Sequence, residues 1–383
     1  MTVAIYLDHA ATSPMTPDAI AAYATALSLV GNPSSIHSQG QNAKRMLEEA
    51  RELIAASVGA DSVEVTFTSG GTESINLAVK GLFWNRRRTR ILATRAEHHA
   101  TIDSLEWLAK HEGAVIDWVP VDALGRINLD YLAAALDDDV AFVTTLWANN
   151  EVGTIQPIAE IVALAAEHGV PVHADAVSAY GSVPIDFHAA GLAALSISAH
   201  KIGGPVGVGA LVVSRSSTVE PLAHGGNQQR FRSGTQDAAG AHVFGQLAAR
   251  ASRDLPAHAA RLASLRDRLI TGVGAAVPSA VLRGDPSPEG RLPGNAHFTF
   301  PGCEGDSLLF LLDVAGFSVS TGSACQAGVP EASHVLLAMG LSEPDARGAL
   351  RVTLGASTTE ADVDAFVAAL PEAVERARNA GLA

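Results

Sequence analysis

Residues 170–205 read VPVHADAVSAYGSVPIDFHAAGLAALSISAHKIGGP. Two short apolar runs, Val170–His173 and Leu195–Ser198, each lead into a loop of small and polar residues. Such runs, bounded by turn signals, predict buried strands, and Asp175 and Lys201 stand just past them. The same texture extends outwards. Val63–Thr68, Arg90–Thr94, Val140–Leu146 and Ala210–Val213 are strand-like, and Ser74–Trp84, Ala100–His111, Leu129–Leu136 and Ile158–His168 carry helical apolar spacing. Alternation of this kind predicts an α/β fold with a mainly parallel sheet and helices on both faces. Ligands of such sheets bind beyond the carboxyl ends of the strands, where the polar loops fall.

After Thr235 the pattern changes. A long helical stretch, Ala238–Gly272, precedes a Gly/Pro-rich passage, Arg283–Gly294. Strand-like Ala296–Phe300, helical Gly305–Val314, a Gly/Ser-rich loop at Ser320–Gly328, strand-like Ala349–Leu354 and a last helix follow. We expect a large domain over residues 15–254 and a smaller α+β domain over 255–383, joined by residues 1–14. The chain has 383 residues, with 26 Lys plus Arg against 40 Asp plus Glu, a net charge of −14. That sign repels phosphate backbones and anionic lipid, so neither nucleic acid nor membrane is an expected partner. Two cysteines, Cys303 and Cys325, exclude a disulfide framework and a cysteine-based zinc site. The opening MTVAIYLDHAATSP lacks the basic region of a targeting peptide, and the longest apolar stretch, Ala19–Val30, is too short for a bilayer. A soluble, cytoplasmic protein is the expectation.

Three segments carry chemistry. Ser69-Gly70-Gly71-Thr72-Glu73-Ser74 follows a strand and opens a helix, where free amides and a hydroxyl hold an anion. It is not a P-loop, because no Gly-Lys-Ser/Thr follows. Asp175 ends a buried run and needs a cationic partner, which a pyridinium nitrogen supplies. Lys201, straight after a strand and before glycines, is placed to be desolvated, which lowers an amine's pKa and readies it for a Schiff base. Thr72, Asp175 and Lys201 together specify pyridoxal 5'-phosphate (PLP).

At this point the sequence resembles the cysteine desulfurases of the class-V aminotransferase group. The resemblance runs through Tyr6-Leu-Asp-His-Ala-Ala-Thr12, Gly31-Asn32-Pro33-Ser34-Ser35, Glu97-His98-His99, Asn149-Asn150-Glu151-Val152-Gly153, Ser198-Ala-His200-Lys201, Arg232-Ser233-Gly234-Thr235, Ser320-Thr-Gly-Ser-Ala-Cys325 and Leu350-Arg351-Val-Thr-Leu-Gly355. It implies a fold-type-I PLP-dependent transferase in which Lys201 carries the cofactor and Asp175 pairs with its ring nitrogen. His98 would stack on the ring and take part in proton transfer. Gly71, Thr72, Ser198 and His200 would hold the phosphate, with Thr235 supplied by the second subunit of a homodimer. Asn150 would sit near the ring hydroxyl and the substrate, Arg351 would grip the carboxylate of L-cysteine, and Asn32 would be a further substrate contact.

Cys325 is the expected nucleophile: a thiol on a Gly/Ser loop that takes sulfur from L-cysteine as a persulfide, leaving L-alanine. Cys303, beside an apolar run, reads as packing. The Ser-x-Gly-Ser-Ala-Cys pattern resembles the group that feeds iron–sulfur scaffold proteins, so the expected acceptor is of that kind. No intrinsic metal site is expected, Cys325 serving at most as a transient cluster ligand shared with a partner. The resemblance also covers a selenocysteine lyase, another class-V aminotransferase-like enzyme, and a PLP-fold sulfur-assembly partner with little activity. One departure stands out: Ser178 occupies the position of a family Gln that bonds the PLP ring oxygen.

Overall fold

The computed structural model describes residues 4–322 and 332–380. The elements run β1 (Ile5–Tyr6), α1 (Pro17–Leu27), α2 (Ser38–Ser57), β2 (Val65–Thr68), α3 (Gly71–Asn85), β3 (Arg90–Thr94), α4 (His99–Glu112), β4 (Val115–Val119), α5 (Leu129–Ala135) and β5 (Val140–Leu146). They continue with α6 (Ile158–Glu167), β6 (Val172–Asp175), α7 (Phe187–Ala190), β7 (Ala194–Ser198), β8 (Gly209–Val213), α8 (Ala238–Ala276), β9 (Val281–Arg283) and β10 (Asn295–Thr299). The last are α9 (Gly305–Val314), β11 (Phe317–Ser318), α10 (His334–Ala338), α11 (Glu343–Arg347), β12 (Ala349–Thr353) and α12 (Glu360–Ala380).

Seven strands form one sheet in the order β2-β8-β7-β6-β5-β3-β4. All its pairings are parallel except those of β8, which runs against both neighbours. Strands β5 to β8 are buried at every residue, as a sheet covered on both faces requires. The edge strand β2 is shielded by Gln229, whose side chain accepts from the Phe67 N–H (2.7 Å) and donates to its carbonyl (3.0 Å). Strand β6 begins at Val172 rather than Val170, because Pro171 has no N–H for the ladder. Asp175 thereby becomes the last residue of the strand and lies 2% exposed.

A second core gathers Leu7, Leu262, Leu265, Leu269, Phe298, Phe300, Leu308, Leu350 and Phe366. Over it lie the antiparallel sheet β12-β10-β9 and the parallel pair β1-β11. Leu7 brings the N-terminal arm into this core. Helix α8 serves both cores: Phe244 and Ala248 pack under the large sheet, and Leu262 to Val273 pack in the small core. The boundary expected between residues 254 and 255 thus falls inside a continuous helix, close to Pro256. Among the described residues no helix is long and apolar enough to cross a membrane.

Candidate active site

The parallel strands β3, β5 and β7 deliver His98, Asn150 and Lys201 on the segments past their carboxyl ends, and β6 delivers Asp175 as its last residue. Two glycines join the β2–α3 loop to this row. Gly209 sits between Thr68 and Ser198 in the register, and a Cβ there would lie 2.7 Å from the Gly70 Cα. The loop therefore folds over Gly209 towards Ser198. A Cβ on Gly71 would lie 2.7 Å from a methyl of Val177, so the start of α3 also abuts the Asp175 loop. No side chain caps that helix start, which leaves its amides free for an anion.

Asp175 accepts one hydrogen bond, from the Val177 N–H (2.9 Å), and burial raises its pKa to about 6 against the opposing charge of Lys201. Lys201 stands in a 3-10 turn, its Nζ donating to the carbonyls of Ala10 and Ala11, the second at 3.0 Å. Burial first, and then Arg351, lower its pKa to about 8. His98 caps α4, its Nδ1 accepting from the Ala100 N–H at 3.0 Å. The residue is exposed, yet its ring is largely surrounded by protein. That desolvation, followed by the charge of Lys201, lowers its pKa to about 4, so it is neutral at pH 7 with its proton on Nε2. His200 is likewise held down to about 4, and its Nδ1 meets Thr12 Oγ1 at 3.2 Å.

Arg351 comes from β12 and lies 5% exposed. Its Nη1 donates to the Asn150 carbonyl (3.0 Å) and its Nη2 to Asp8 Oδ1 (2.8 Å). Asn149 stabilises the Asn150 turn from beneath, accepting from the Glu151 and Val152 amides and donating to the Ala96 carbonyl. Ser178, Asn150 and Lys201 share one wall of a cavity of about 590 Å³, closed on other sides by the N-terminal arm, α8 and Gly355. Thr72 and Thr235 are exposed. Asn32 is not brought into this group: its side-chain oxygen accepts from the Ser34 N–H (2.9 Å) in its own turn. Cys325 lies outside the described residues. Cys303 is buried, its thiol directed at the Val374 carbonyl (3.7 Å), and burial raises its pKa.

Glu97, His334 and Glu151 have no role assigned from the sequence. Glu97, fully buried, accepts from Thr94 Oγ1 (2.8 Å), and burial holds its pKa well above the carboxylate range. His334 donates to the Glu97 carbonyl (2.8 Å) beside the ring of His99. Glu151 stands at both flanks of the Cys325 segment: Ser333 Oγ donates to it, and a side chain on Gly322 would press upon it.

The residues fit PLP on their own geometry. Ser198 Oγ is fully buried without a partner among the described residues, beside the uncapped start of α3. Asp175 is a buried carboxylate short of a cation, and Lys201 is a desolvated amine. Asp175→Asn keeps the shape and removes the charge. We expect it to lower turnover by about 100-fold, from the roughly 3 kcal/mol that losing one partner of a buried ion pair costs. Steady-state kinetics on the cofactor-loaded variant check this. The Lys201 pKa sets a second expectation. PLP added to cofactor-free protein should attach about tenfold faster per pH unit below 8 and level off above it, since only the neutral amine reacts. Stopped-flow absorbance reads the rate; a profile flat from pH 6 to 8 would contradict it.

A family model for aminotransferase class V matches residues 5–366. An IscS-like cysteine desulfurase of Mycobacterium tuberculosis is 55% identical over 386 residues, covering 99% of this chain and 98% of its own length. Among solved structures, a NifS-like protein matches with TM-score 0.90 at 32% identity, over 98% of this chain and 100% of that one. SspA, solved in complex with cysteine, matches with TM-score 0.80 at 30% identity, over 91% and 98%. The chain belongs to the class-V aminotransferase family. Within it the chain is one of the cysteine desulfurases, enzymes of the fold-type-I class that work with PLP.

Proposed function

We propose that the enzyme takes sulfur from L-cysteine, releases L-alanine, and carries the sulfur as a persulfide on Cys325 for an acceptor protein of iron–sulfur cluster assembly. The observation that carries this reading is that Asp175 and Arg351 converge on the desolvated Lys201, whose amine feels the charge of both. Bound PLP would supply an electron sink for the substrate's α-carbon. Arg351 offers guanidinium N–H groups to the substrate carboxylate, with Asn150 beside it. Lys201 is the amine that would hold the cofactor and move the α-proton, and Asp175 is the carboxylate that would keep a positive charge on the ring nitrogen. His98, neutral and with Nε2–H unpaired among the described residues, donates or relays a proton to the substrate. The Cys325 thiolate attacks the substrate sulfur: a sulfur–sulfur bond forms, the carbon–sulfur bond breaks, and the carbon takes a proton. No outside oxidant is needed.

In this reading residues 15–254 form the cofactor domain, and residues 1–14 with 255–383 form the domain that carries Cys325. A homodimer is supported by the large apolar side chains exposed at the end of α1 and in the segment after it: Leu27, Val30 and Ile36 are 60%, 83% and 92% exposed. Thr235 is exposed on a segment anchored by Arg232, which pairs with Glu73 at 2.6 Å. Alanine formed from L-cysteine by the purified, PLP-loaded protein tests the activity.

A further inference from the structure

The N-terminal arm crosses the floor of the site and is fixed along its length. Tyr6 Oη donates to the carbonyls of Asp8 and Thr12, both at 2.9 Å, which holds the arm in a tight loop. The Ala10 N–H donates to Thr353 Oγ1 (2.8 Å), the Thr353 N–H to the Leu7 carbonyl (2.8 Å), and the Ser13 N–H to the His200 carbonyl (3.0 Å). Asp8 is thus immobilised beside β12, two residues from Arg351 across the arm–strand bridge. Its side chain spends its one described bond on that arginine.

A guanidinium has five N–H groups. In Arg351 the Asn150 carbonyl takes one from Nη1 and Asp8 takes one from Nη2. Among the described residues one N–H on each terminal nitrogen and the Nε–H, which is buried without a partner, remain for the two parallel bonds that a carboxylate takes. A long side chain held at one nitrogen only would still pivot about its own axis; two fixed acceptors define the plane. We propose that Asp8 is a positioning residue for the substrate subsite, setting the plane of Arg351 so that its free N–H pair meets the carboxylate of L-cysteine. The inference rests on reading Arg351 as the carboxylate-binding residue. It adds a role for the arm that neither Lys201 nor Cys325 chemistry requires.

The test compares Asp8→Ala, which removes the acceptor, with Asp8→Asn, which keeps one without charge. In the PLP-loaded enzyme Asp8→Ala should raise the KM for L-cysteine about tenfold or more, and kcat should change far less. The dissociation constant for L-alanine, which cannot turn over, should rise in step when read by absorbance titration. PLP content and melting temperature should stay near wild type. Asp8→Asn should recover at least half of the lost affinity. An unchanged KM and alanine affinity in a folded Asp8→Ala enzyme would overturn the proposal, as would equal losses in the two variants. Should Asp8→Ala not fold, Asp8→Leu, which keeps the number and branching of side-chain heavy atoms without an acceptor, serves the same comparison. Arg351→Lys runs alongside. If it leaves the cysteine KM unchanged, the reading of Arg351 fails and the proposal falls with it. If it raises KM while Asp8→Ala does not, the role of Asp8 alone is wrong.

Discussion

Lys201→Ala enzyme should lose cysteine turnover by about 10⁴-fold or more, the scale of removing a group that serves both as covalent anchor and as proton carrier. The structure makes the residue hard to replace. It follows the buried strand β7 at once, its pKa is drawn down to about 8 by burial and Arg351, and Ala10 and Ala11 offer carbonyls to its amine. No other lysine follows a strand that ends in this cleft. PLP added to the variant should bind without the absorbance of covalent attachment. A small free amine in the buffer should restore a minor fraction of the rate. Alanine formation within tenfold of wild type would show that another group does this work.

The second large effect separates the two cysteines. Cys325→Ala should bind PLP and L-cysteine as wild type does, yet form alanine about 10³-fold more slowly, because no thiolate remains to accept the sulfur. Cys303→Ala should turn over within about twofold of wild type. Its thiol lies in the small core among Leu308, Leu312 and Val374, so its loss should instead cost about 1 kcal/mol of stability. Denaturant unfolding and alanine assays on both variants read the two outcomes independently. A Cys303→Ala enzyme without activity would mean the roles are reversed.

Much of this architecture is legible in the sequence, and the reasons are local. Apolar runs cut by glycine and proline announce β5, β6, β7 and β8, and a central parallel sheet places the residues after them on one edge. Asp175 and Lys201 could be read because each stands next to its strand. Strand β4 escaped notice because it is an edge strand whose residues are mostly half-exposed, so its apolar pattern is weak. The 3-10 turn at Ser62–Glu64 shortens the strand expected from Val63, because Asp61 and Glu64 satisfy each other there. What no local pattern could show is the arm. Asp8 meets Arg351 across 343 residues of chain, and Ala10 meets Lys201 across 191. Contacts so distant leave no periodicity, and neither does the path of α8 through both cores.

The central claim is that sulfur leaves L-cysteine and rests on Cys325. The most direct measurement treats the PLP-loaded wild-type enzyme with one equivalent of L-cysteine, without an acceptor or reductant. It then quantifies alanine and maps added sulfur by peptide mass spectrometry. Alanine should form in near-equal amount to a single extra sulfur atom on the peptide containing Cys325, with none on the peptide containing Cys303. Alanine formed with no sulfur on Cys325, or sulfur there without alanine, would contradict it.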